Sequence, residues 1–269
     1  MNFYEIEDGT IKVSVEPRPA DVNPSPANVR RFGSPSVLIP PFRPVRLSVV
    51  VPALNEADAV AHAVRSAFAA GTAEVIVVDG GSVDATKAAA RQAGATVVDS
   101  PRGRSRQMNA GAEAATGDVL LFLHADTTLP EDAGVRIGEA VRRGAEGGCF
   151  RLRFDADAPL LRLYAAATRL PIPWLVYGDR ALWCTRAAFD AVGGFPDLPV
   201  FEDVAFVRAL VRRRRFRFVP SSVTTSARRF LRDGLLRRQL RNALLTVAYW
   251  VGVPPERLAR RYPSDERRG

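Results

Sequence analysis

The side chains best suited to chemistry in this sequence are carboxylates and an imidazole that follow apolar runs. His124 and Asp126 stand two residues apart just after the run 119–123. Such a run, entered through Gly117-Asp118, reads as a buried strand of a parallel sheet, and open α/β sheets bind ligands at the carboxyl ends of their strands. A carboxylate there suits a hard divalent cation, which takes oxygen ligands and can hold substrate phosphates at the same time. His124 could ligate such an ion or hydrogen-bond a phosphate oxygen. Asp79 ends a second apolar run, 74–78, and Glu202-Asp203 opens a helix where backbone N–H groups favour negative charge. Asp203 is thereby expected to stay ionised and to accept a proton from a hydroxyl. The loop carrying Arg102, Arg104 and Arg106 can supply charge-assisted bonds to phosphate. Singly, each signal also has an ordinary structural explanation as a turn, a packing group or a dipole partner.

The elements that would position these groups alternate from Arg46 onward. Residues 47–51 form a β-branched apolar run ended by Pro52, and Asn55 can cap a helix from about 56 to 70. A strand at 74–78 leads to Asp79-Gly80-Gly81-Ser82, with Ser82 placed to cap a helix through 93. A short strand at 95–98, the arginine loop and a helix to 115 precede the strand before His124. Strands alternating with helices of this length imply βαβ units and a parallel sheet. Beyond it, Thr128 and Glu131 form a capping-box pattern for a helix to about 143. Strands are expected at 148–154, 181–185, 216–219 and 222–226, and helices at 159–169, from 201–203 to 213, and, in one piece, at 231–251. On that last helix Leu235, Leu236, Leu240, Ala243, Leu244, Val247 and Trp250 share a face, with Arg237, Arg238 and Arg241 elsewhere. Docking on the core is the ordinary explanation of that face; lying at a membrane surface is the sharper one.

Composition bounds the class. The chain has 269 residues, 47% hydrophobic and 25% charged, as expected of a globular protein with a large core. The first residues lack a basic start and an apolar stretch, so no secretory signal is expected. The longest uncharged run, 242–255, has 14 residues, short of the ~18 that a membrane-spanning helix needs. Two cysteines in apolar surroundings, Cys149 and Cys184, point to a cytoplasmic protein without a disulfide framework. Seventeen arginines against four acids lie from Arg208 onward, so the net charge of +9 belongs to the C-terminal quarter. Such a segment can attract nucleic acid, anionic lipid or an acidic substrate, though with only Lys12 and Lys87 as lysines part of the excess is compositional bias. Residues 1–45 stand apart: an exposed strand at 11–15 with a turn at Asp8-Gly9, then eight prolines between Pro17 and Pro44, expected to form a poorly ordered extension.

The order of the motifs adds a resemblance. VPALNE (51–56), VVDGGSVDAT (77–86), LLFLHADT (120–127), GGFPD (193–197) and the later Glu202-Asp203 resemble the family 2 inverting glycosyltransferases of GT-A fold. QMNAGA (107–112), YGDR (177–180) and TSARRF (225–230) are similar to a small bacterial subgroup labelled radical-SAM/selenodomain-associated transferase 2. The resemblance implies an α/β fold with a mostly parallel central sheet. It divides residues 46–230 into a nucleotide-sugar-binding half, 46–127, and an acceptor half, 128–230, followed by basic amphipathic helices at 231–269. It implies that Pro52, Asn55, Glu56 and Asp79 border the nucleoside, and that Asn109, Arg104, His124 and Arg180 serve the donor. Asp126, with His124, would hold Mg²⁺ or Mn²⁺ on the diphosphate, and Asp203, beside Glu202, would be the catalytic base. Two departures stand out: His124 replaces the first acid of the family's DxD motif, and Gly80 replaces the usual second acid after the second strand.

The expected activity is transfer of a sugar from a nucleotide-diphosphate sugar to an acceptor hydroxyl with inversion. The arginine-rich C-terminus leaves open a lipid-linked acceptor and peripheral association with an anionic membrane, at the inner face of the cell membrane. A nucleotidyltransferase acting on a sugar phosphate would instead carry a glycine-rich, basic loop after the first strand, where this chain has Pro52-Ala53-Leu54-Asn55-Glu56. A nucleic-acid-binding protein would place aromatics among the arginines of an exposed sheet, whereas Phe216 and Phe218 alternate as core residues do, so no nucleic-acid partner is expected.

Overall fold

The computed structural model describes residues 2–7, 10–15, 45–173 and 176–260, with the side chains of 2–7, 10–15, 229, 233 and 235–239 excepted. The chain divides into two units, residues 1–44 and 45–269. In the first, β1 (Asn2–Glu7) pairs antiparallel with β2 (Thr10–Val15), Glu7 opposite Thr10. The alternation at 11–15 therefore belongs to a hairpin. The proline-rich stretch after it lies outside the described residues.

In the second unit β3 (Leu47–Ala53), α1 (Ala57–Ala69), β4 (Glu74–Asp79), α2 (Thr86–Gln92), β5 (Thr96–Asp99), α3 (Arg104–Ala114) and β6 (Val119–Phe122) alternate. β4 lies parallel to β3 and β5, and β6 lies parallel to β3 on its other side. The chain thus runs outward through β4 and β5, then returns over the sheet through α3 to begin again beside β3. That reversal opens a crevice between the carboxyl ends of β3 and β6, where α/β sheets take ligands.

The second half adds β7 (Thr127–Thr128), α4 (Ala133–Arg142), β8 (Gly147–Phe154), α5 (Pro159–Ala167), a 3₁₀ turn at Gly178–Arg180, β9 (Leu182–Thr185), α6 (Arg186–Val192), α7 (Glu202–Arg212) and β10 (Phe216–Thr225). The sheet order is β5-β4-β3-β6-β9-β8-β10-β7. β9 runs antiparallel to β6 and β8, and β7 antiparallel to β10, so the sheet is mostly but not wholly parallel.

Alternate residues of the central strands feed two cores. Val49, Val51, Val77 and Leu121 face α1 and α4 through Val60, Val64 and Ile137. Val50, Ile76, Leu120 and Phe122 face α3 and α7 through Met108, Phe206 and Leu210. This two-sided burial is why the strands read as continuous apolar runs.

Several local expectations give way to tertiary partners. Thr128 does not open a capping box: it pairs with Thr224 in the sheet, and α4 begins after Asp132. Asn55 and Ser82 do not cap α1 and α2, because they bind each other's loops. The two strands expected between 216 and 226 are one strand, irregular between Phe218 and Ser222. The long helix expected at 231–251 is broken at Gly234, whose φ of +84° ends α8 (Arg228–Asp233) and begins α9 (Leu235–Trp250); a short α10 (Pro255–Ala259) follows.

Candidate functional site at the sheet crevice

On the β3–β4 side, two loops are locked together by short polar bonds. Asn55 takes a left-handed φ of +52°, which lets its amide donate to Ser82 Oγ (2.9 Å) while its Oδ1 accepts from the Val83 amide (3.0 Å). The Glu56 amide donates to Thr86 Oγ1 (2.8 Å), and Glu56 Oε2 accepts from Arg228 Nη2 (2.8 Å). Pro52 is half-buried at the end of β3. Asp79 is fully buried; its Oδ2 accepts from the Gly81 and Ser82 amides (2.9 Å each) and lies 3.7 Å from Lys87 Nζ. Its Oδ1 has no hydrogen-bond partner among the described residues, which leaves one acceptor for a donor group in the crevice. The floor is held by Gln107, whose Nε2 donates to the carbonyls of Ala53 (2.9 Å) and Val78 (2.8 Å). Gln107 opens the QMNAGA motif, which by sequence alone gives this side chain no role; its burial on the inner face of α3 supplies one.

On the β6 side, four elements converge around Gly178. Its amide donates to Asp203 Oδ2 (2.6 Å), and Asp203 Oδ1 accepts from the Val204 amide (2.7 Å). A Cβ on Gly178 would stand 3.0 Å from Asp203 Oδ2, 3.1 Å from Arg104 Nη2 and 3.3 Å from His124 Nε2, so glycine is what lets these three groups meet. Arg104, from the start of α3, lies 2.5 Å from His124 Nε2 through Nη2 and 3.4 Å from Glu202 Oε1 through Nε. A guanidinium only donates, so His124 accepts at Nε2, which makes it the neutral tautomer with its proton on Nδ1. Asp126, two residues beyond His124, is half-buried, and its carbonyl accepts from the Ser226 amide (3.1 Å).

Two expected donor-side residues are placed elsewhere. Arg180 is 1% exposed; its Nε donates to the Phe150 carbonyl and its Nη2 to the Thr168 carbonyl, both at 2.8 Å. Its guanidinium is spent inside the core and does not face the crevice. Asn109 clamps the Phe195 backbone, accepting from its amide (2.9 Å) and donating to its carbonyl (2.8 Å). That clamp seats Phe195 among Phe122 and Phe206, at ring distances of 4.7 and 4.0 Å, and explains why GGFPD sits in the motif set. Asp179, unremarked in the sequence, is buried between Tyr164 and Arg180. Burial pushes its carboxyl up to about 6, with the charge of Asp203 pushing the same way and Arg180 opposing.

Among the described residues no group of three or more His, Cys, Asp or Glu side chains could cage a metal. The donor set fits instead a hard ion shared between the Asp126 carboxylate and the oxygens of a bound diphosphate. His124 fits less well, since the lone pair a metal would need already accepts from Arg104.

Residues 48–168 match the family model described as Glycosyl transferase family 2. No curated protein matches the chain. Among solved structures it is similar to a mannosyltransferase from Pyrobaculum calidifontis in complex with GDP-Man and Mn²⁺, at 21% identity and a TM-score of 0.51, covering 68% of this chain and 57% of that one. The chain therefore spans little more than half the length of that relative. It is also similar to glucosyl-3-phosphoglycerate synthase from Mycobacterium tuberculosis in complex with Mn²⁺, UDP and glucosyl-3-phosphoglycerate, at 20% identity and a TM-score of 0.54, covering 78% of this chain and 81% of that one. The fold of the chain is GT-A, and residues 48–168 within it match glycosyl transferase family 2.

Proposed function

We propose that the protein is an inverting glycosyltransferase that moves a sugar from a nucleotide-diphosphate sugar to an acceptor hydroxyl. The observation that carries this reading is the meeting of Asp203, Arg104 and His124 around Gly178, with Arg104 and His124 supplied by the segment that matches the family model. The base of the donor nucleotide pairs with Asp79, whose second oxygen is buried without a hydrogen-bond partner among the described residues. Asn55 and Glu56 border the nucleoside with the loops they lock. Arg104, oriented by its ion pair with Glu202, faces the diphosphate and offsets the charge that develops on the leaving oxygen. A divalent ion, Mg²⁺ or Mn²⁺, held by Asp126 and the diphosphate would add Lewis-acid stabilisation of the same charge.

Asp203 takes the proton of the acceptor hydroxyl. Each of its oxygens already accepts one backbone N–H, and each keeps a further lone pair for that proton. The deprotonating oxygen attacks the anomeric carbon, the bond from that carbon to the β-phosphate oxygen breaks, and the nucleoside diphosphate departs from the opposite face. Glu202 is a positioning residue for Arg104 in this scheme rather than a second base.

A panel of UDP-, GDP- and dTDP-sugars, assayed for binding and slow hydrolysis with and without Mn²⁺, tests the reading. One nucleotide is expected to be preferred, with hydrolysis raised by the metal. Binding of none of them, with turnover of a nucleoside triphosphate and a sugar phosphate instead, would replace this reading by nucleotidyl transfer.

A further inference from the structure

The amphipathic helix α9 is mounted in the reverse of the usual sense. Its inner face carries Leu245 and Thr246, both buried, and Tyr249, half-buried. These hold it against the catalytic loops: Thr246 Oγ1 lies 3.3 Å from Tyr177 Oη, and Tyr249 stacks on Phe201 at 4.6 Å. Tyr177 precedes Gly178 and Phe201 precedes Glu202, so the helix lies directly beside the site.

Its outer face is apolar. Leu240, Leu244, Val247 and Val251 recur at helical spacing and are 64%, 62%, 56% and 75% exposed. Such spacing makes one continuous stripe. Leu231 on the preceding helix is 58% exposed as well. Scattered exposed leucines need no explanation, but a stripe of four along one helix face does. The charge around it selects the occupant. Residues 228–260 hold eight arginines, Arg228, Arg229, Arg232, Arg237, Arg238, Arg241, Arg257 and Arg260, against Asp233 and Glu256. Of these, Arg228, Arg232, Arg257 and Arg260 are exposed. An apolar stripe in a strongly cationic segment matches the two layers of an anionic lipid surface, headgroup charge above and acyl chain below. Nucleic acid would answer the charge but not the stripe, and a second copy would bring like charge to like. No described helix is long and apolar enough to cross a membrane, so the contact would be a surface one.

We infer that α9 docks this protein on an anionic bilayer, with the apolar stripe in the interface and the site opening beside it. An acceptor hydroxyl carried by a lipid in the same bilayer would then reach Asp203 without leaving the membrane; that clause rests on the glycosyl-transfer reading, whereas the docking does not.

Sedimentation of the full chain with vesicles tests it. The protein should pellet with phosphatidylglycerol-rich vesicles at low salt and stay largely in the supernatant with phosphatidylcholine alone. The doubly substituted Leu244→Glu/Val247→Glu chain should lose roughly tenfold or more in vesicle partition. Because both positions are exposed, its melting temperature and its hydrolysis of a soluble donor should not change. Wild-type protein that stays in the supernatant with the anionic vesicles overturns the inference, as does a variant that binds them equally well. A variant that pellets normally but runs at half the native mass in light scattering would make the stripe an interface between copies, and would also overturn it. A failed donor screen beside successful pelleting would instead remove the glycosyl-transfer reading and leave the docking intact.

Discussion

Asp203 concentrates the chemistry proposed here, and its neighbours show how one carboxylate can be prepared. Two backbone amides fix its orientation, and the absence of a side chain at residue 178 lets Arg104 and His124 approach. Asp203→Asn keeps the shape and one of the two amide bonds, the new Nδ2 being a donor only, while removing the proton acceptor. Transfer should fall by about a thousandfold, the middle of the range for loss of a general base, while donor affinity by calorimetry stays near that of the wild type. Asp179 offers a second residue-scale test, in stability. Its folded-state carboxyl is raised from 3.8 to about 6 by burial, so the folded chain holds this proton more tightly than the unfolded chain. Stability from this group is full below the unfolded value and is lost as pH rises toward about 6. The loss is on the order of 3 kcal/mol for a shift of this size. Asp179→Asn should abolish that fall. Urea midpoints at several pH values between about 4 and 7 should converge on wild type at the acid end and exceed it at the neutral end. Carboxylates held low by partners, such as Glu146 by Arg213, drift the opposite way in both chains and cancel in the comparison.

At the scale of elements, α3 is the pivot. It carries Arg104 at its start, Gln107 under the β3–β4 floor and Asn109 on the Phe195 loop, three jobs on three sides of one helix. It can do so because it lies unusually close to the sheet. A Cβ at Gly111 would stand 2.3 Å from Val50 Cγ1 and 2.8 Å from Val78 Cγ2. Alanine is worth about 1 kcal/mol more than glycine in a helix interior, yet overpacking a close-packed core costs about 1–3 kcal/mol. The clash, involving two β-branched side chains of central strands, wins. Gly111→Ala should lower the urea midpoint, and should also weaken donor binding as α3 is levered outward with Arg104. An unchanged midpoint would show that the sheet yields at this point. The break at Gly234 is the other element-scale device: it sets α9 in a direction that a continuous helix from α8 could not take.

At the scale of the whole molecule, residues 45–269 hold both cores and all of the site residues, and the hairpin of residues 2–15 belongs to a separate unit. A chain lacking residues 1–44 should therefore melt cooperatively within a few degrees of the full chain and keep its donor affinity. A large drop in melting temperature would mean that the first unit braces the second.

The sequence by itself determined the strands β3, β4 and β6, the crevice at their ends, and the acids that stand there. Central parallel strands buried on both faces must be apolar along most of their length, so 47–51, 74–78 and 119–123 stand out, and Asp79, His124 and Asp126 are the polar residues that end or follow them. Tertiary structure alone decided which groups meet. His124 faces Arg104, Glu56 faces Arg228 across 172 residues, and Arg180 turns into the core, none of which any local pattern encodes. The same limit applies to α9. Periodicity revealed that its apolar residues share a face, but which side a helix turns toward the protein depends on what the rest of the fold leaves to cover. Here Tyr177 and Phe201 take the inner face, and Leu240, Leu244, Val247 and Val251 point outward.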